Sequence, residues 1–342
     1  MITNLNSNDY KSITQLVQME AHTLQTSLRN ILQKHYDKVV LTRDYLYAVG
    51  DMPIGLAAHL DTVFPKPPSE VFYDRQKGVL WSPGGAGFDD RAGVFLILKI
   101  LAAGYRPSVI FTLGEEIGAV GASALIYKEK EPFAPMKYII QLDRRGTNDC
   151  VFYDCDNKDF IKYVSSFGFI EAFGSFTDIS VICPAWKIAG VNLSVGYRDE
   201  HTASEVLFVS PLMSTFNKVK NMLDDVRNTH QWNYVRSRFA YDYFKSIPGF
   251  TPAEPINEFA YYDEDWSPQC ICSKCGQEFS EYEVFPVKSK DNTTKFYCPD
   301  CIIDGVSWCD DCGEAFETSD PKAIICPDCK KAREKKWIMK TK

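Results

Sequence analysis

Residues 108–128 read SVIFTLGEEIGAVGASALIYK, a stretch that combines a strand, a charged turn and a helix. The run SVIFTL is typical of a buried strand, and the segment after Gly118 predicts a helix. Two adjacent carboxylates, Glu115 and Glu116, stand at the turn between them. Because like charges repel, this turn is either a solvated loop or a metal site in which one carboxylate binds the ion and its neighbour acts as a base.

Strands and helices alternate along most of the chain. Apolar residues at helical spacing cover residues 8–36, and strands are predicted in VVLTRDYLYAVG, IGLAAHLDTV, KYIIQLD, DISVICP and AGVNLSVGY, with a hairpin across VFYDRQKGVLWSP. Further helices are predicted in DDRAGVFLILKILAAG, DFIKYVSSFGF and EVLFVSPLMSTFNKVKNMLDDVRNTH. This alternation predicts a three-layer α/β/α domain with a mixed or mostly parallel sheet over residues 1–245.

The overall composition narrows the class of protein. The chain has 342 residues, of which 45% are hydrophobic and 24% charged, as in a soluble globular protein. The net charge of −7 argues against a broad nucleic-acid-binding surface. The first residues lack a basic segment followed by an apolar core, and the most apolar helical stretch, AGVFLILKILAAG, is too short to span a bilayer. We therefore expect a cytoplasmic protein with no membrane partner.

The last quarter of the chain contains an internal repeat. Residues 246–268 are rich in prolines, acids and aromatics and read as a linker. In residues 269–332, a CxxCG knuckle followed by CPDC occurs twice, and residues 333–342 form a basic tail. Small units with little apolar content need a cross-link to stabilise their fold, and a zinc ion held by four cysteines provides one. The repeat predicts tandem zinc ribbons with the sequential ligand sets Cys272, Cys275, Cys298, Cys301 and Cys309, Cys312, Cys326, Cys329.

Two alternatives for these cysteines stay open. A cross-braced arrangement would pair the first CxxC with the third, and a redox role would need no metal. The redox role is disfavoured because redox motifs do not normally occur as two matched couples. Cys270 is interpreted as a bystander, and Cys150, Cys155 and Cys183 lie outside any paired motif.

Polar residues at other predicted strand ends could form a site together with Glu115 and Glu116. The residues concerned are His59 and Asp61 in AAHLDTV, Asp89 and Asp90 in GFDDRAGV, Asp143 in IIQLDRRG, and His201 in GYRDEHTASE. The carboxyl ends of strands in an α/β sheet meet at one crevice, so these pieces can converge. Imidazole and carboxylate ligands suit zinc, and two neighbouring divalent ions need a bridging carboxylate. Residues i and i+2 share a strand face, so Asp61 is expected to hold the far nitrogen of His59.

The motifs HLDTV, GFDDRAGV, EEIGAVGA, QLDRRG and GYRDEH, in this order over about residues 55–205, resemble the zinc exopeptidases with co-catalytic metal centres. That family covers aminopeptidases and the related carboxypeptidases and deacylases. The resemblance implies that His59 and Asp143 bind one zinc ion, that Glu116 and His201 bind the other, and that Asp89 bridges them through a cis peptide to Asp90. It also implies that Glu115 is the general base and then acid, and that Asp61 orients His59.

Other polar residues have competing interpretations. Asp90 and Arg91 can simply start the helix DDRAGVFLIL, because acids favour helix N-termini. Asp154 or Asp156 could replace Asp143 as a ligand, although FYDCDN is typical of a turn. Structural or surface roles are favoured for His22, His35 and His230, and solvated salt bridges compete with substrate contacts for Arg144, Arg145, Tyr197 and Arg198.

The leading interpretation is a dizinc hydrolase of amide bonds, most simply an aminopeptidase on peptides. Many carboxypeptidase-like relatives insert a lid between the third carboxylate ligand and the last histidine, but Asp143 and His201 are too close in sequence for one. A deacylase or amidohydrolase acting on a non-peptide or N-acylated substrate is the first alternative. The second is an adaptor protein whose ribbons recruit a protein partner.

The cofactor and partner assignments follow from this interpretation. Two catalytic and two structural zinc ions are expected, although carboxylate-rich sites also accept Co²⁺ or Mn²⁺. The basic tail KKAREKKWIMKTK has the composition of a phosphate-contacting helix, but a solvated helix end is favoured over nucleic-acid binding.

Overall fold

The structure is a computed structural model that describes residues 4–129, 131–132, 135–225, 231–237, 269–280, 284–288, 293–302, 306–309, 315–318 and 323–340. The helices are α1 (Ser7–Val17), α2 (Ala21–Leu32), α3 (Phe88–Ala102), α4 (Val120–Lys128), α5 (Lys158–Ser165), α6 (Asp178–Trp186), α7 (Val209–Leu223) and α8 (Pro327–Lys340). The strands before residue 209 are β1 (Lys38–Leu41), β2 (Tyr45–Val49), β3 (Met52–His59), β4 (Phe72–Asp74), β5 (Val79–Trp81), β6 (Pro107–Thr112), β7 (Tyr138–Arg144), β8 (Asp149–Val151), β9 (Ile170–Glu171), β10 (Gly190–Ser194), β11 (Tyr197–Arg198) and β12 (Val206–Phe208).

A mixed sheet of eight strands forms the centre of the first part of the chain, in the order β1-β2-β6-β3-β7-β10-β8-β9. Strands β6, β3, β7 and β10 pair in parallel, and so do β8 and β9. The β1–β2, β2–β6 and β10–β8 pairs are antiparallel. The central strands are buried along almost their whole length. Such continuous burial is typical of a sheet that is covered on both faces.

Helices cover both faces of this sheet and give the three-layer architecture predicted from the sequence. On one face, α1, α3 and α7 contribute Leu16, Ile97 and Val219 to the main core. On the other face, α4 and α6 pack against each other, and Leu125 and Ile182 belong to a separate core cluster. The predicted α/β/α fold with a mixed sheet is therefore confirmed.

A smaller sheet flanks the loop that leads into α3. Its strand order is β11-β12-β5-β4, and the β4–β5 pair is the hairpin predicted across VFYDRQKGVLWSP. Strand β12 also corrects a prediction, because Val206–Phe208 belongs to this sheet and the long predicted helix begins only at Val209. The N-terminal helical stretch is likewise split in two, and the side chain of Glu20 caps α2 by accepting the backbone N–H groups of His22 and Thr23.

The prediction of a strand near DISVICP is wrong, because this segment begins α6. Its buried residues Ile179, Ile182, Cys183 and Trp186 recur at helical spacing. Ser180 Oγ accepts the Thr177 backbone N–H at 3.2 Å at the start of the helix. The β-branched residues in the first turn favour a strand locally, and packing against α4 overrides that preference.

The predicted domain end at residue 245 and the linker 246–268 lie outside the described residues. Within the helices that the structure describes, none has the length and apolarity needed to cross a membrane. The cytoplasmic location stays a prediction.

The last quarter of the chain forms two small sheets. Strands β13 (Gln269–Ile271) and β14 (Glu278–Ser280) make a hairpin around the first knuckle. The second sheet has the order β16-β15-β18-β17, with β15 (Phe285–Lys288), β16 (Thr294–Tyr297), β17 (Val306–Trp308) and β18 (Ala315–Glu317). We call residues 269–329 the ribbon module.

The ribbon module packs against α2. The rings of His22 and Trp308 are stacked with their centroids 4.5 Å apart, and Arg29 Nη2 lies 2.6 Å from Asp300 Oδ1. Phe285 also packs edge-on against Trp308. Both cysteine-bearing halves of the module take part, because Asp300 lies in the first CPDC and Trp308 directly precedes Cys309.

Replacement of Trp308 by alanine is expected to destabilise the full chain. The indole is buried, and its loss removes the stacking on His22 and the packing against Phe285. We expect the free energy of unfolding, measured by urea denaturation, to fall by about 3 kcal/mol. The control is Ile271→Ala, which truncates an exposed apolar residue of the same module. An equally small change for both variants would contradict a stabilising role for this contact.

Candidate metal centre

The sheet brings the predicted strand-end residues to one edge. His59 is the last residue of β3, Asp143 lies near the end of β7, and Glu115 and Glu116 follow β6. Because β6, β3 and β7 are adjacent and parallel, their carboxyl ends meet at this edge. Asp89 reaches it from the start of α3, and His201 reaches it from the turn after β11.

Asp89 lies between the two histidines. Its Oδ1 is 3.2 Å from His59 Nε2, and its Oδ2 is 3.1 Å from His201 Nε2. His59 Nε2 is also 3.5 Å from Asp143 Oδ1, and His201 Nε2 is 3.0 Å from Glu116 Oε1. Each imidazole therefore faces one oxygen of the shared carboxylate and one oxygen of a second carboxylate.

The hydrogen bond of the other ring nitrogen sets the tautomer of His59. Its Nδ1 lies 3.1 Å from the backbone oxygen of Asp61, which can only accept, so Nδ1 carries a hydrogen. In the neutral ring the lone pair of Nε2 then faces the carboxylate oxygens of Asp89 and Asp143. Lone pairs cannot hydrogen-bond to one another, so this arrangement requires a proton or a metal cation between them.

Buried negative charge dominates the electrostatics of the site. Burial opposes a charge on His59, but Asp143 and neighbouring carboxylates outweigh it and raise the pKa of His59 well above its usual value. The hydrogen bond to Asp89 raises the pKa of His201 to about 9. Burial raises the pKa of Glu116 to about 7. The site thus favours bound cations.

Glu115 belongs with His59 and Glu116 to a further group of potential metal ligands, but it lies farther from His59 than the paired carboxylates do. Its Oε2 is 4.0 Å from His59 Nε2, beyond the separations that the four paired carboxylate oxygens show. Burial raises its pKa to about 8. A carboxylate with a raised pKa beside a cluster of potential ligands has the properties of a group that accepts and releases a proton.

Asp61 holds the turn of the glutamate pair. Its Oδ1 accepts the backbone N–H of Glu115 at 3.3 Å, and its Oδ2 accepts that of Glu116 at 3.2 Å. Its carboxylate is 3.6 Å from His59 Nδ1, farther than its own backbone oxygen. The side chain therefore fixes the turn, while the backbone oxygen and the carboxylate of Asp61 both face His59 Nδ1. That Asp61 orients His59 stays a prediction.

A network that was not predicted from the sequence surrounds Asp143. Tyr197 donates its hydroxyl to Asp143 Oδ1 at 3.0 Å, and Thr177 and Gln141 donate to Oδ2 at 2.8 and 2.9 Å. Asn192 accepts the backbone N–H of Asp143 and donates to its backbone oxygen. Asp143 is therefore held in one orientation.

Glu205 and Asp90 hold the loop that carries Asp89. The buried carboxylate of Glu205 accepts the backbone N–H groups of Ala86, Gly87 and Asp89. The peptide between Asp89 and Asp90 is cis, as the resemblance implied. Asp90 lies close enough to His59 and Asp143 to be a ligand, but its oxygens accept the backbone N–H groups of His59 and Gly93. We therefore assign Asp90 to the start of α3.

Asp178 is a further buried carboxylate next to the site. Thr112 at the end of β6 donates its hydroxyl to Asp178 Oδ2, and Asp178 Oδ1 has no hydrogen-bond partner among the described residues. Burial raises its pKa to about 7. Its position at the first turn of α6 was not predicted, because the segment reads as a strand.

The ribbon module gathers its cysteines into separate clusters. Potential ligand atoms of Cys272, Cys275, Cys298 and Cys301 all lie within 4.8 Å of one another, as do those of Cys309, Cys326 and Cys329. Cys312 lies outside the described residues. The first cluster combines a CxxC with the CPDC that follows it, and the second combines Cys309 with the next CPDC, which is the order of the sequential assignment.

The other residues that the sequence suggested as possible ligands or substrate contacts make different contacts where the structure describes them. Among the described residues, Asp154 and Asp156 join no cluster of potential metal ligands, and Asp156 pairs with Lys158. His22 stacks on Trp308, and His230 lies outside the described residues. The arginines near the site make local contacts: Arg144 Nη2 donates to the Phe173 backbone oxygen, Arg145 pairs with Glu200, and Arg198 lies over the Phe208 ring.

No protein-family model and no curated protein matches the chain. Among solved structures, it is similar to a TET aminopeptidase from a marine sediment Thaumarchaeota archaeon, with 11% identity over 65% of this chain and 99% of the other and a TM-score of 0.50. A tripeptidase from Staphylococcus aureus matches at 14% identity over 65% of this chain and 98% of the other, with a TM-score of 0.49. Aminopeptidase PepT from Bacillus cereus matches at 15% identity over 63% and 97%, with a TM-score of 0.47. At these identities the similarity concerns the fold.

Proposed function

We propose that this chain is a dizinc-dependent hydrolase of amide bonds, and specifically an aminopeptidase that releases N-terminal residues from peptides. The position of Asp89, with one oxygen facing His59 and the other facing His201, carries the proposal. The similarity in fold to a solved aminopeptidase supports the reaction class.

The donor set fits a pair of divalent ions. His59 and Asp143 would hold one ion, Glu116 and His201 the other, and Asp89 both. Ligand atoms around a tetrahedral zinc, each about 2.1 Å from the metal, lie about 3.4 Å apart. The facing nitrogen and oxygen atoms are 3.2, 3.5, 3.1 and 3.0 Å apart. Carboxylate-rich sites also accept Co²⁺ or Mn²⁺.

When bound, these ions would polarise the amide carbonyl and lower the pKa of water towards neutrality. Glu115 is assigned as the base because it stands next to the ligand cluster and lies farther from His59 Nε2 than the oxygens assigned as ligands do. It accepts a proton from the attacking water and later donates it to the nitrogen of the leaving amine. Asp61 keeps Glu115 and Glu116 in place through their backbone N–H groups.

In the ribbon module, we propose two structural zinc ions with the sequential ligand sets. Cys272, Cys275, Cys298 and Cys301 would hold the first; Cys309, Cys312, Cys326 and Cys329 would hold the second. The stacking of Trp308 on His22 and the pairing of Asp300 with Arg29 support a role within the chain, as a support for α2. Recruitment of another protein through the ribbons stays a prediction, as does the division into residues 1–245, 246–268, 269–332 and 333–342.

The reaction is tested with two substrate classes. The full chain is expected to hydrolyse aminoacyl-anilides, to lose this activity after treatment with a chelator, and to regain it with Zn²⁺, Co²⁺ or Mn²⁺. N-acylated amino acids serve as the comparison, because they lack the free amine of an aminopeptidase substrate. Cleavage of the N-acylated class alone would replace the aminopeptidase proposal by a deacylase. Failure to cleave either class would favour the adaptor interpretation.

A further inference from the structure

The buried apolar residues of the ribbon module belong to the main core of the α/β/α domain. They join the same cluster of buried side chains as the leucines of α2, and they are Phe285, Val287, Tyr297, Ile302, Trp308 and Ala315. On α2, Arg29 is only 8% exposed although it is charged, and it pairs with Asp300 of the module. The ribbon module is therefore built into the larger domain, and α2 is the helix on which it packs.

Arg91 joins the connection between α1 and α2 to the start of α3. Its guanidinium donates from Nη1 to the Leu16 backbone oxygen and from Nη2 to the Met19 backbone oxygen, each at 3.2 Å. Leu16 lies in the last turn of α1, where the backbone oxygens favour a nearby cation. Arg91 is buried, and burial of a charged group is costly unless the group is hydrogen-bonded. The backbone of the α1–α2 connection therefore fixes where the Arg91 side chain lies.

Arg91 directly follows the cis peptide that carries the ligand assigned to both ions. Glu205 holds this segment by accepting the backbone N–H of Asp89 at 3.0 Å, and the Asp90 carboxylate accepts the backbone N–H of His59 at 3.2 Å. Arg91 adds the contact to the α1–α2 connection. The place of the Asp89 oxygens between the two imidazoles thus depends on how this segment is held, and one of its supports comes from the N-terminal helices.

A continuous series of contacts runs from the ribbon module to this segment. Trp308 stacks on His22 in the first turn of α2, and Met19 lies three positions before His22. Between them, Glu20 caps α2 by accepting the backbone N–H of His22 at 2.9 Å. Because these residues are tied to one another, a shift at the start of α2 displaces the Met19 oxygen to which Arg91 donates.

We infer that the ribbon module positions the bridging carboxylate of Asp89 through α2 and Arg91, so that the folded ribbon raises the affinity of the metal centre for its catalytic ions. This inference rests on the proposed function, since it takes Asp89 as the bridge between two ions. Arg91 is a positioning residue, and the ribbon contributes to catalysis without touching the substrate.

The first test replaces Arg91 by methionine, which keeps an unbranched side chain and removes the donors. The variant is expected to bind the catalytic zinc ions about 10-fold more weakly, the low end of the effect of losing a group that supports a metal ligand. Arg91→Lys should restore most of the affinity, because its ammonium can donate to both backbone oxygens. The measurement is a titration of the full chain with a zinc chelator, followed by elemental analysis. Asp89→Ala supplies the signal of the ribbon ions alone.

The second test separates the ribbon module from α2 without changing the ribbon sequence. The combined variant His22→Ala/Arg29→Ala removes the contacts to Trp308 and Asp300. It should keep both ribbon ions and bind the catalytic ions about 5-fold more weakly, within the usual range for coupling through contiguous contacts. In an Arg91→Met background the same two substitutions should cause little further loss, because residues that act through one another are not additive.

Two controls accompany these variants. Ile31→Ala truncates an exposed residue on the same helix, and Phe160→Ala destabilises the chain from the buried side of α5. Both should bind the catalytic ions as tightly as wild type.

Unchanged zinc affinity in the Arg91→Met variant, an equal loss in Phe160→Ala, or fully additive losses in the triple variant would overturn the inference while the proposed function stands. If Arg91→Met does not fold, the zinc affinity of the His22→Ala/Arg29→Ala variant decides the question alone. If wild type binds no zinc beyond the ribbon ions, the proposed metal centre itself fails.

Discussion

Replacement of Glu115 by glutamine is expected to lower kcat by about two to four orders of magnitude while the metal content stays unchanged. Glutamine has nearly the same shape as glutamate, so the turn held by Asp61 should persist. It cannot accept the proton of the attacking water, however, and it cannot return one to the leaving amine. Glu115 Oε2 lies 4.0 Å from His59 Nε2, and Glu115 is not among the five residues assigned as ligands.

The measurement pairs steady-state kinetics on an aminoacyl-anilide with elemental analysis of the same preparation. Glu70→Gln, which changes an exposed glutamate in the same way, should leave both values at the wild-type level. Turnover by Glu115→Gln within about 3-fold of wild type would refute the general-base role, since general acid–base catalysis is worth far more. Loss of metal together with activity would show that Glu115 is a ligand instead.

The sheet edge that carries the site could be predicted because its signals are local. Each strand is an apolar run that ends in a charged residue, as in AAHLD and IIQLD, and parallel strands bring such ends together. The pairings of β3 with β6 and β7 then place His59, Glu115 and Asp143 at one edge. No long-range information beyond the order of the elements was needed.

The contacts of the Asp61 carboxylate could not be predicted from the local sequence. The two-residue period of a strand places Asp61 on the same face as His59 only if the strand continues, but β3 ends at His59. Beyond that point the backbone turns, and the Asp61 carboxylate meets the N–H groups of Glu115 and Glu116. The end of a strand is set by packing and turn geometry, which the sequence of HLDTV alone does not reveal.

The supports of the metal centre could not be predicted for a different reason. Tyr197, Thr177 and Glu205 lie far from their partners in sequence and occur in no spacing pattern with them. Their contacts arise only after the smaller sheet and α6 have packed against the main sheet. A buried glutamate within an otherwise exposed turn, as Glu205 is, becomes meaningful only when its three backbone donors are known.

The ribbon module adds a contact that its repeat did not indicate. The cysteine spacing predicts the zinc ligands from local sequence, whereas the stacking of Trp308 on His22 joins residues from opposite ends of the chain. His22 stacks on Trp308 and joins no group of potential metal ligands among the described residues, which fits the structural or surface role that the sequence favoured. The ribbon module can thus also stabilise a helix of the larger α/β/α domain, in this case α2.

Asp89→Ala should remove both catalytic ions at once, because Asp89 is the one side chain assigned to both. Without it, His59 and His201 each lose a facing oxygen, at 3.2 and 3.1 Å respectively. The ribbon ions depend on cysteines alone and provide an internal reference within the same molecule. Elemental analysis should therefore show a fall from four to two zinc ions per chain, accompanied by loss of anilide hydrolysis.

Circular dichroism separates this loss of metal from a loss of folding, since the spectrum of Asp89→Ala should match that of wild type. Asp51→Ala, which truncates an exposed aspartate at the turn before β3, should retain all four ions and full activity. Retention of four ions by Asp89→Ala would contradict the bridge, and a loss of one ion would reduce Asp89 to a ligand of a single metal. Only the loss of two ions together fits a carboxylate whose oxygens face two imidazoles.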